Sequence, residues 1–217
     1  MNPPRPARPA ARTVLVGRYA RLEPLTAEHA PDLFAGAVAP GGAERFEWLF
    51  EYPPASLADM AAWAETVAAQ ADPMLFAVLD AASGRALGRQ ALMRIVPEHG
   101  VIEIGSIWWG PAMARTRLAT EALYLFARHV FEDLGYRRLE WKCNDRNEAS
   151  KRAALRFGFT FEGLFRQHMI QKGENRDTAW FAMLDDEWPA RKAGFERWLD
   201  PANFDETGAQ RQRLSVR

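Results

Sequence analysis

The stretch Trp141-Lys-Cys-Asn-Asp-Arg-Asn-Glu-Ala-Ser-Lys-Arg-Ala-Ala-Leu-Arg-Phe-Gly-Phe159 predicts the end of a strand, a polar turn, a short helix and the start of another strand. Asn147 and Ser150 stand at the beginning of this helix, where both side chains can accept hydrogen bonds from free backbone N–H groups. Gly158 is expected to end the helix in the left-handed conformation, which a side chain would resist. The segment therefore predicts a strand–helix–strand unit.

The rest of the chain predicts an α+β order of elements. Two helices precede a three-stranded antiparallel meander over 74–79, 86–96 and 101–108. The longest helix is expected over 115–134, because apolar residues recur along one of its faces. A strand over 138–143, the short helix, a closing hairpin and a final helix follow. This order differs from the regular βαβ alternation of a doubly wound fold.

Length and composition bound the domain organisation. The chain has 217 residues, of which 48% are hydrophobic, and this suits a single folded domain. We expect that domain over residues 13–199. Residues 1–12, rich in Pro and Arg, are interpreted as a disordered leader, and residues 200–217 as a polar C-terminal tail.

Charge and cysteine usage indicate the compartment and exclude some partners. The formal net charge is +0, so long-range electrostatics give no argument for a nucleic acid or an anionic membrane as a partner. No apolar run approaches the roughly 20 residues that a bilayer-spanning helix needs. The single Cys143 cannot form an intrachain disulfide, which favours a reducing compartment. We therefore expect a cytoplasmic protein.

The motif Asn147-x-x-Ser150, followed by Gly158-Phe159, resembles the last cofactor-contacting motif of the GNAT N-acyltransferase superfamily. The resemblance extends over nearly all of residues 13–199. It implies a mostly antiparallel, mixed central sheet, flanked by helices and split between its fourth and fifth strands. The acyl-CoA lies in that split. In this chain the two strands are expected over 101–108 and 138–143.

The segment Trp109–Ala122 resembles the loop with which the superfamily binds the pyrophosphate of coenzyme A. Free N–H groups at a helix N-terminus form an anion site. Arg115 and Arg117 stand where the superfamily usually has glycines, so either the backbone cradle is weaker or the guanidinium groups bind phosphate instead. An ordinary amphipathic helix with a basic first turn is the alternative interpretation.

The resemblance implies a larger set of cofactor-binding residues on the fourth strand, in this loop and around the short helix. For the residues around the short helix, capping together with a solvated Arg152 is the competing interpretation. The full set is Ile107, Trp108, Trp109, Arg115, Thr116, Arg117, Leu118, Ala119, Thr120, Asn144, Asn147, Ser150 and Arg152.

Glu103 and His168 are the candidate bases. Glu103 is a lone carboxylate in an otherwise apolar predicted strand, and burial raises the pKa of a carboxyl. Amine acylation needs a base near neutral pH, because an ammonium has no free electron pair. The resemblance implies such a base on this strand; the alternative is that the strand exposes Glu103. His168 is a second candidate, as a base or to orient the substrate, and a structural histidine fits the sequence equally well.

The general acid is not assigned. Many members of the superfamily carry a Tyr in the helix before Gly-Phe, where this chain has Leu155 and Arg156. Ser150 or water is then the candidate that protonates the departing thiolate. Backbone N–H groups from Ile107 to Trp109 are expected to polarise the thioester carbonyl.

An aromatic segment, Phe46–Tyr52, lies where the superfamily places an acceptor-binding loop. Trp48 and Phe50 are therefore candidate substrate-binding residues. Packing beneath a loop explains both rings equally well.

Within the superfamily, the chain is most similar to the branch of ribosomal-protein N-terminal alanine and serine acetyltransferases, at Glu103-Ile-Gly105, Glu162-Gly163 and Arg176-Asp-Thr178. This implies direct transfer of an acyl group, expected to be acetyl, from acetyl-CoA or another acyl-CoA to a primary amine of a protein N-terminus or small molecule. No metal is expected, and a homodimer is left open. The alternative is a non-catalytic GNAT-fold module that binds protein or RNA, motivated by the missing glycines and Tyr.

Overall fold

The computed structural model describes residues 6–216, which form one sheet with helices on both faces. The strands are β1 (Leu15–Val16), β2 (Ala20–Pro24), β3 (Met74–Asp80), β4 (Ala86–Val96), β5 (Val101–Trp109), β6 (Arg138–Asn144), β7 (Thr160–Gln171) and β8 (Glu174–Leu184). The α-helices are α1 (Ala30–Val38), α2 (Leu57–Ala68), α3 (Arg117–Arg128), α4 (Glu148–Arg156) and α5 (Trp188–Leu199).

The sheet has the strand order β1-β2-β3-β4-β5-β6-β8-β7. Neighbouring strands run antiparallel, apart from β5 and β6, which are parallel because α3 crosses between them. The predicted α+β class is therefore confirmed. The strands expected as fourth and fifth are β5 and β6, since the two-residue β1 precedes them in the chain.

Alternate side chains of β3 face two separate cores. Phe76 and Val78 pack in the larger core with α3 and α5, whereas Leu75 and Ala77 pack in a second core with α1 and α2. Successive strand residues point to opposite faces of a sheet. Because helices cover both faces, β3 is a continuous apolar run rather than an alternating one.

The helix α3 lies inside the larger core. All residues from Leu118 to Ala127 are buried, so the helix is surrounded on every side rather than along the single apolar stripe that was expected. Residues His129–Asp133 continue it as a π-helical turn, and Gly135, with φ 72°, ends the segment. The helix expected over 115–134 is therefore shorter and changes its pitch before it ends.

The N-terminal segment lies against the domain. Ala7 is buried and donates its N–H to a backbone carbonyl after β4 at 2.9 Å, and Arg8 donates to the carbonyl of Leu134 at 2.8 Å. Residues 6–12 therefore pack against the fold, unlike the disordered leader that the sequence predicts. Residues 1–5 lie outside the described residues.

The C-terminal segment also returns to the domain. Phe204 and Val216 are buried in the larger core, and the guanidinium of Arg191 donates to the carbonyl of Val216 at 2.7 Å. The segment predicted as a polar tail therefore packs on α5. It does so through Phe204 and Val216, two apolar residues that are widely separated in an otherwise polar sequence.

The carboxylate of Glu121 joins α3 to the turn before β2. It accepts hydrogen bonds from the backbone N–H groups of Arg18, Tyr19 and Ala20 at 3.0, 2.5 and 2.7 Å. A Cβ added at Gly17 would lie 2.5 Å from the same carboxylate, so the absent side chain leaves room for it. Because Glu121 is buried, these three donors satisfy a charge that would otherwise be costly to place there.

We expect Glu121→Ala to lower the free energy of unfolding by about 2–4 kcal/mol, because it leaves three N–H groups of the turn without an acceptor. Glu121→Gln, which keeps one oxygen, should lose less. Chemical denaturation measures both, and Glu65→Ala, an exposed residue of α2, is the control that should change stability by about 0.5 kcal/mol or less. Equal losses for all three variants would contradict this account.

Candidate active site

The parallel strands β5 and β6 pair only along their first halves. Val101–Ile104 lies opposite Arg138–Trp141, and beyond these residues β5 remains paired with β4, and β6 with β8. The facing edges of residues 105–109 and 142–144 are occupied by no strand of the described chain. Their backbone N–H and C=O groups are therefore available to a ligand that enters between the strands.

A β-bulge bends β5 where the two strands part. The register between β4 and β5 shifts around Ser106, whose φ is 49°. The buried guanidinium of Arg89 donates to the carbonyl of Ser106 at 2.7 Å and to its Oγ at 2.5 Å. Arg89 also forms an ion pair with Glu51 and lies 4.6 Å from the ring centre of Trp63. Burial lowers the pKa of Arg89 to about 9, which still leaves it charged at neutral pH, so Arg89 fixes the bend.

The helices that follow the two strands begin at the same edge of the sheet. Parallel strands end at one edge, and α3 follows β5 while α4 follows β6. Separately, the last residue of α4 contacts the first turn of α3, since Arg156 Nη1 donates to Thr120 Oγ1 at 3.2 Å. Because each helix follows one of the two parallel strands, both helix N-termini lie on the side of the sheet where the strands have parted.

The N-terminus of α3 keeps free N–H groups. Thr116 caps it weakly, its Oγ1 accepting at 3.4 Å from the N–H three residues on. Among the described residues, no acceptor bonds the N–H groups of Arg115, Arg117 and Leu118. Arg115 has φ 66°, the left-handed region that favours glycine, so the backbone here is glycine-like although the side chain is not. Arg117 instead packs its guanidinium 4.3 Å from the ring centre of Tyr19.

The N-terminus of α4 is capped by Asn147, whose Oδ1 accepts from the N–H of Ser150 at 3.0 Å. The prediction that Ser150 also caps the helix is wrong, because its Oγ accepts from Trp141 Nε1 at 2.9 Å. Gly158, with φ 89°, confirms the expected left-handed end. Asn144 is buried, and its Oδ1 accepts from the N–H two residues on at 3.0 Å.

The other expected cofactor-binding residues divide between groove and core. Ile107 lines the groove, and Arg152 is exposed on α4. Trp108 is buried against Phe46 at a ring distance of 5.5 Å, so only its backbone is available to a ligand. Trp109 is half-buried at the edge of the larger core, and its Nε1 donates a hydrogen bond to Gln90 Oε1 of β4 at 3.2 Å. The side chains buried at the start of α3 are Leu118, Ala119 and Thr120.

A cavity of about 320 Å³ occupies the parting of β5 and β6. Glu103 and His168 both line it, and so do Trp48 and Phe50 from the loop between α1 and α2. Residues predicted from four separate parts of the sequence are thus brought together in one place. From the cofactor set, the walls include Ile107, Asn144, Asn147 and Ser150.

Glu103 is buried in the cavity wall, with 4% of its surface exposed, which excludes the alternative of a solvent-facing position. Its Oε2 lies 2.9 Å from Lys142 Nζ and 3.5 Å from Arg94 Nε. Burial raises the pKa of Glu103, and the positive charges of Lys142 and Arg94 oppose this rise. Lys142 also contacts Glu140 Oε2 at 2.6 Å, so one ammonium is shared between two carboxylates.

His168 reaches the same cavity from β7. Its Nδ1 lies 2.9 Å from Thr178 Oγ1. Burial lowers the pKa of His168, and the charges of Arg94, Arg176 and Lys142 lower it further. The imidazole is therefore mainly neutral at pH 7 and able to accept a proton.

Sequence reasoning missed the four cations that line the cavity, namely Arg45, Arg94, Lys142 and Arg176. A signal for Lys142 exists, because the period of two places Glu140 and Lys142 on one face of their strand. Glu140 lies opposite Glu103 in the parallel register, so this face carries the charges that meet Glu103. Arg94 reaches the cavity from a stretch of β4 where the register with β5 shifts and its own φ is 49°. Arg176 reaches it from the β7–β8 hairpin, and no local sequence pattern specifies either position.

The family model for the acetyltransferase (GNAT) domain matches residues 20–160, more than half of the chain. The chain therefore belongs to the GNAT acetyltransferase family, as the sequence motifs predicted.

Three proteins illustrate the similarity. The crystal structure of a GCN5-related N-acetyltransferase from Brucella melitensis is 54% identical, covers 96% of this chain and 95% of its own, and has a TM-score of 0.94. The uncharacterized N-acetyltransferase YoaA of Bacillus subtilis (strain 168) is 32% identical over 90 residues, which are 42% of this chain and 43% of that protein. This chain thus matches less than half the length of that curated relative.

The third protein has only the fold in common with this chain. It is the Salmonella typhimurium acetyltransferase that modifies the N-terminal serine of the 50S ribosomal subunit protein L7/L12. It has a TM-score of 0.68 at 19% identity and covers 79% of this chain and 99% of its own. The expected similarity to the ribosomal-protein branch is therefore confirmed for the fold.

Residues 6–216 contain neither a helix suited to crossing a membrane nor a cluster of metal ligands. No helix there combines the length and apolar character needed to cross a membrane. Nor does any group of three or more His, Cys, Asp or Glu side chains come together in that range as metal ligands would.

Replacing Arg115 by Gly and by Ala separates its backbone conformation from its charge. We expect Arg115→Gly to be more stable than Arg115→Ala by about 1 kcal/mol, because only glycine adopts φ 66° without strain. Both variants should bind acetyl-CoA about tenfold more weakly, since both lose a guanidinium next to the free N–H groups. Chemical denaturation and calorimetric titration measure the two effects, with Arg197→Ala on α5 as the control. Equal stability of the two variants would contradict the conformational role.

Proposed function

We propose that this chain is an acyl-CoA-dependent N-acyltransferase that moves an acetyl group directly to a primary amine of a protein N-terminus or small molecule. The observation that carries the proposal is the buried Glu103 carboxylate in the wall of the cavity between β5 and β6. Membership of the GNAT acetyltransferase family supports it. The direct attack, the roles of the residues and the acceptor are our inference.

We infer that acetyl-CoA binds along the parting of β5 and β6. We assign its pyrophosphate to the free N–H groups of Arg115, Arg117 and Leu118 at the N-terminus of α3. Its pantetheine arm, which carries amide groups, is assigned to the unpaired backbone of residues 105–109 and to the Asn147 end of α4. When bound, acetyl-CoA supplies an acetyl group activated as a thioester.

Glu103 is proposed to take the proton that the acceptor ammonium must lose before it attacks. Burial brings the pKa of this carboxyl closer to neutral, and Lys142 at 2.9 Å keeps the ionised form accessible. The positive charges of Lys142 and Arg94 also disfavour an ammonium in the cavity, which helps to release its proton. His168, with a neutral imidazole, is proposed to orient the amine or to accept the proton in turn.

Backbone groups and a hydroxyl serve the other charges of the reaction. The N–H groups from Ile107 to Trp109 are assigned to the carbonyl oxygen, where negative charge develops. Ser150 Oγ accepts from Trp141 Nε1, and we assign its hydroxyl to donate a hydrogen bond to the departing thiolate, which takes up the proton that the attacking nitrogen loses. Burial raises the pKa of the Cys143 thiol, which disfavours a covalent route through this residue.

The loop that carries Trp48 and Phe50 is proposed as one wall of the acceptor site. Phe50 is 51% exposed although it lines the cavity, and the carbonyl of Trp48 accepts from Gln171 Nε2 at 2.8 Å. The loop is thus attached to β7 while one ring stays free to contact a substrate. The Salmonella relative acts on a protein N-terminus, but at 19% identity it leaves the acceptor of this chain open.

Acetyl-CoA at 100 times its dissociation constant should raise the melting temperature by about 5–10 °C, because binding to the folded state adds about 2.7 kcal/mol. Thermal unfolding measures the shift. The same measurement with dephosphorylated coenzyme A and with adenosine shows which part of acetyl-CoA is needed for binding. Free-thiol release with a panel of amines then tests transfer. The absence of a shift at millimolar acetyl-CoA contradicts the proposal, and binding without any thiol release favours the non-catalytic alternative.

We expect Glu103→Gln to lower kcat by about 10²–10³ near pH 7, because it removes the proton acceptor. In the unmodified enzyme kcat/KM should fall as the pH drops through the pKa of Glu103, which burial places above the usual carboxyl value. That acidic limb should vanish in the variant. Glu140→Gln, which removes the other carboxylate on Lys142, is the matched control and should keep most activity. Wild-type turnover of Glu103→Gln across pH 6 to 9 would remove Glu103 as the base.

A further inference from the structure

Arg176 is a buried cation without an acidic partner. It lies on β8, lines the cavity and is 8% exposed. Its Nε donates to Thr178 Oγ1 and its Nη1 to Gln171 Oε1, both at 3.2 Å, and both acceptors are neutral. No carboxylate within residues 6–216 comes within 4.0 Å of this guanidinium, whereas Lys142, which lines the same cavity, has two. Glu103 acts on Arg176 only from a greater distance, where its charge partly opposes the effect of burial on the pKa.

A buried guanidinium of this kind favours an anion. Taking a cation out of water costs free energy unless an opposite charge accompanies it, and burial accordingly lowers the pKa of Arg176. Its Nη2 makes no hydrogen bond in the described part of the chain, so the planar group retains donors for a ligand. The ring centre of Phe50 lies 5.3 Å from the guanidinium carbon, within the range of a cation–π contact.

Arg176 is linked to the proposed reaction centre through one hydroxyl. Thr178 Oγ1 is 3.2 Å from Arg176 Nε and 2.9 Å from His168 Nδ1. An anion on Arg176 would therefore lie one side chain away from His168. Both residues line the same cavity as Glu103.

The charges of the cavity walls agree with an anionic ligand. The walls carry four cations, Arg45, Arg94, Lys142 and Arg176, against two carboxylates. Of these carboxylates, Glu51 is paired with Arg89, and Glu103 already has Arg94 and Lys142 close to it. A polyamine would bring further positive charge to these cations, whereas a carboxylate would neutralise one of them. The phosphates of acetyl-CoA do not supply this anion, because none of the cavity-lining residues belongs to 110–120, where we assign them.

We propose that the acceptor is an amine with a carboxylate close to its amino group, and that Arg176 binds this carboxylate. This inference rests on the proposed N-acetyl transfer and specifies its substrate class. Free amino acids and peptides with an acidic residue next to the N-terminal amine share this chemistry. Diamines and polyamines do not.

Matched acceptor pairs test the proposal with the full-length chain and saturating acetyl-CoA. Free-thiol release is measured for amino acids against their amides, and for short peptides with Asp or Asn at the second position. In each pair the amino group is retained and a carboxylate is replaced by an amide. We expect kcat/KM to be about 10- to 100-fold higher for the acid in at least one of the two sets, as for a charge-assisted bidentate contact. The set that shows the preference for the acid indicates whether the acceptor is a free amino acid or a peptide.

Two variants assign the preference to this residue. Arg176→Gln should reduce the acid-to-amide ratio to about threefold or less, chiefly through KM, while Arg176→Lys should keep an intermediate ratio because it retains charge without the planar fork. Arg197→Gln, an exposed arginine of α5, should leave the ratio unchanged. If Arg176→Gln does not fold, the ratio in the wild-type chain and in Arg176→Lys still decides the question.

The outcomes separate this inference from the proposed function. Acetylation of amines at equal rates for acid and amide, or an acid preference that survives in Arg176→Gln, overturns the role of Arg176 and leaves acetyl transfer intact. A preference for diamines overturns the substrate class in the same way. No thiol release with any amine contradicts the proposed function, and this inference with it.

Discussion

The structure depends on one interruption of sheet pairing. β5 and β6 pair over four residues and then separate, while each keeps its outer neighbour. The outer pairs secure the sheet, so the inner edges can remain free without loss of the fold. The helices α3 and α4 start at the ends of these two strands, which brings two helix N-termini to the same opening. Backbone donors, rather than a particular set of side chains, thus form much of the groove.

The groove is positively charged because it contains fewer carboxylates than cationic side chains. Lys142 is shared between Glu103 and Glu140, Arg94 also approaches Glu103, and Arg176 has only neutral partners. The interior therefore carries more positive than negative side chains although the whole chain has a net charge of +0. A chain without net charge can still have a site with an excess of positive charge. Buried charges interact strongly with a ligand in the site, whereas distant surface charges are screened by water and salt.

Local chemistry made part of this structure predictable, and distant contacts determined the rest. Asn147 and Gly158 were predicted correctly because capping and left-handed ends depend on neighbouring residues. The family motif, rather than any pattern of periodicity, predicted the parting of the strands. Ser150 bonds the indole of Trp141 instead of capping the helix, and Arg89 fixes a bulge on another strand. Such contacts arise only once the sheet has assembled.

The ion pair between Glu51 and Arg89 couples two parts of the site that a substrate would reach separately. Glu51 belongs to the loop beside the acceptor cavity, and Arg89 holds the bulge at Ser106 on the wall assigned to the thioester. A ligand that displaces this loop also disturbs the contacts that hold the bulge. By linkage, a ligand that stabilises the bulge favours one position of the loop. The affinities for donor and acceptor should therefore depend on each other, each substrate changing the dissociation constant of the other by the same factor.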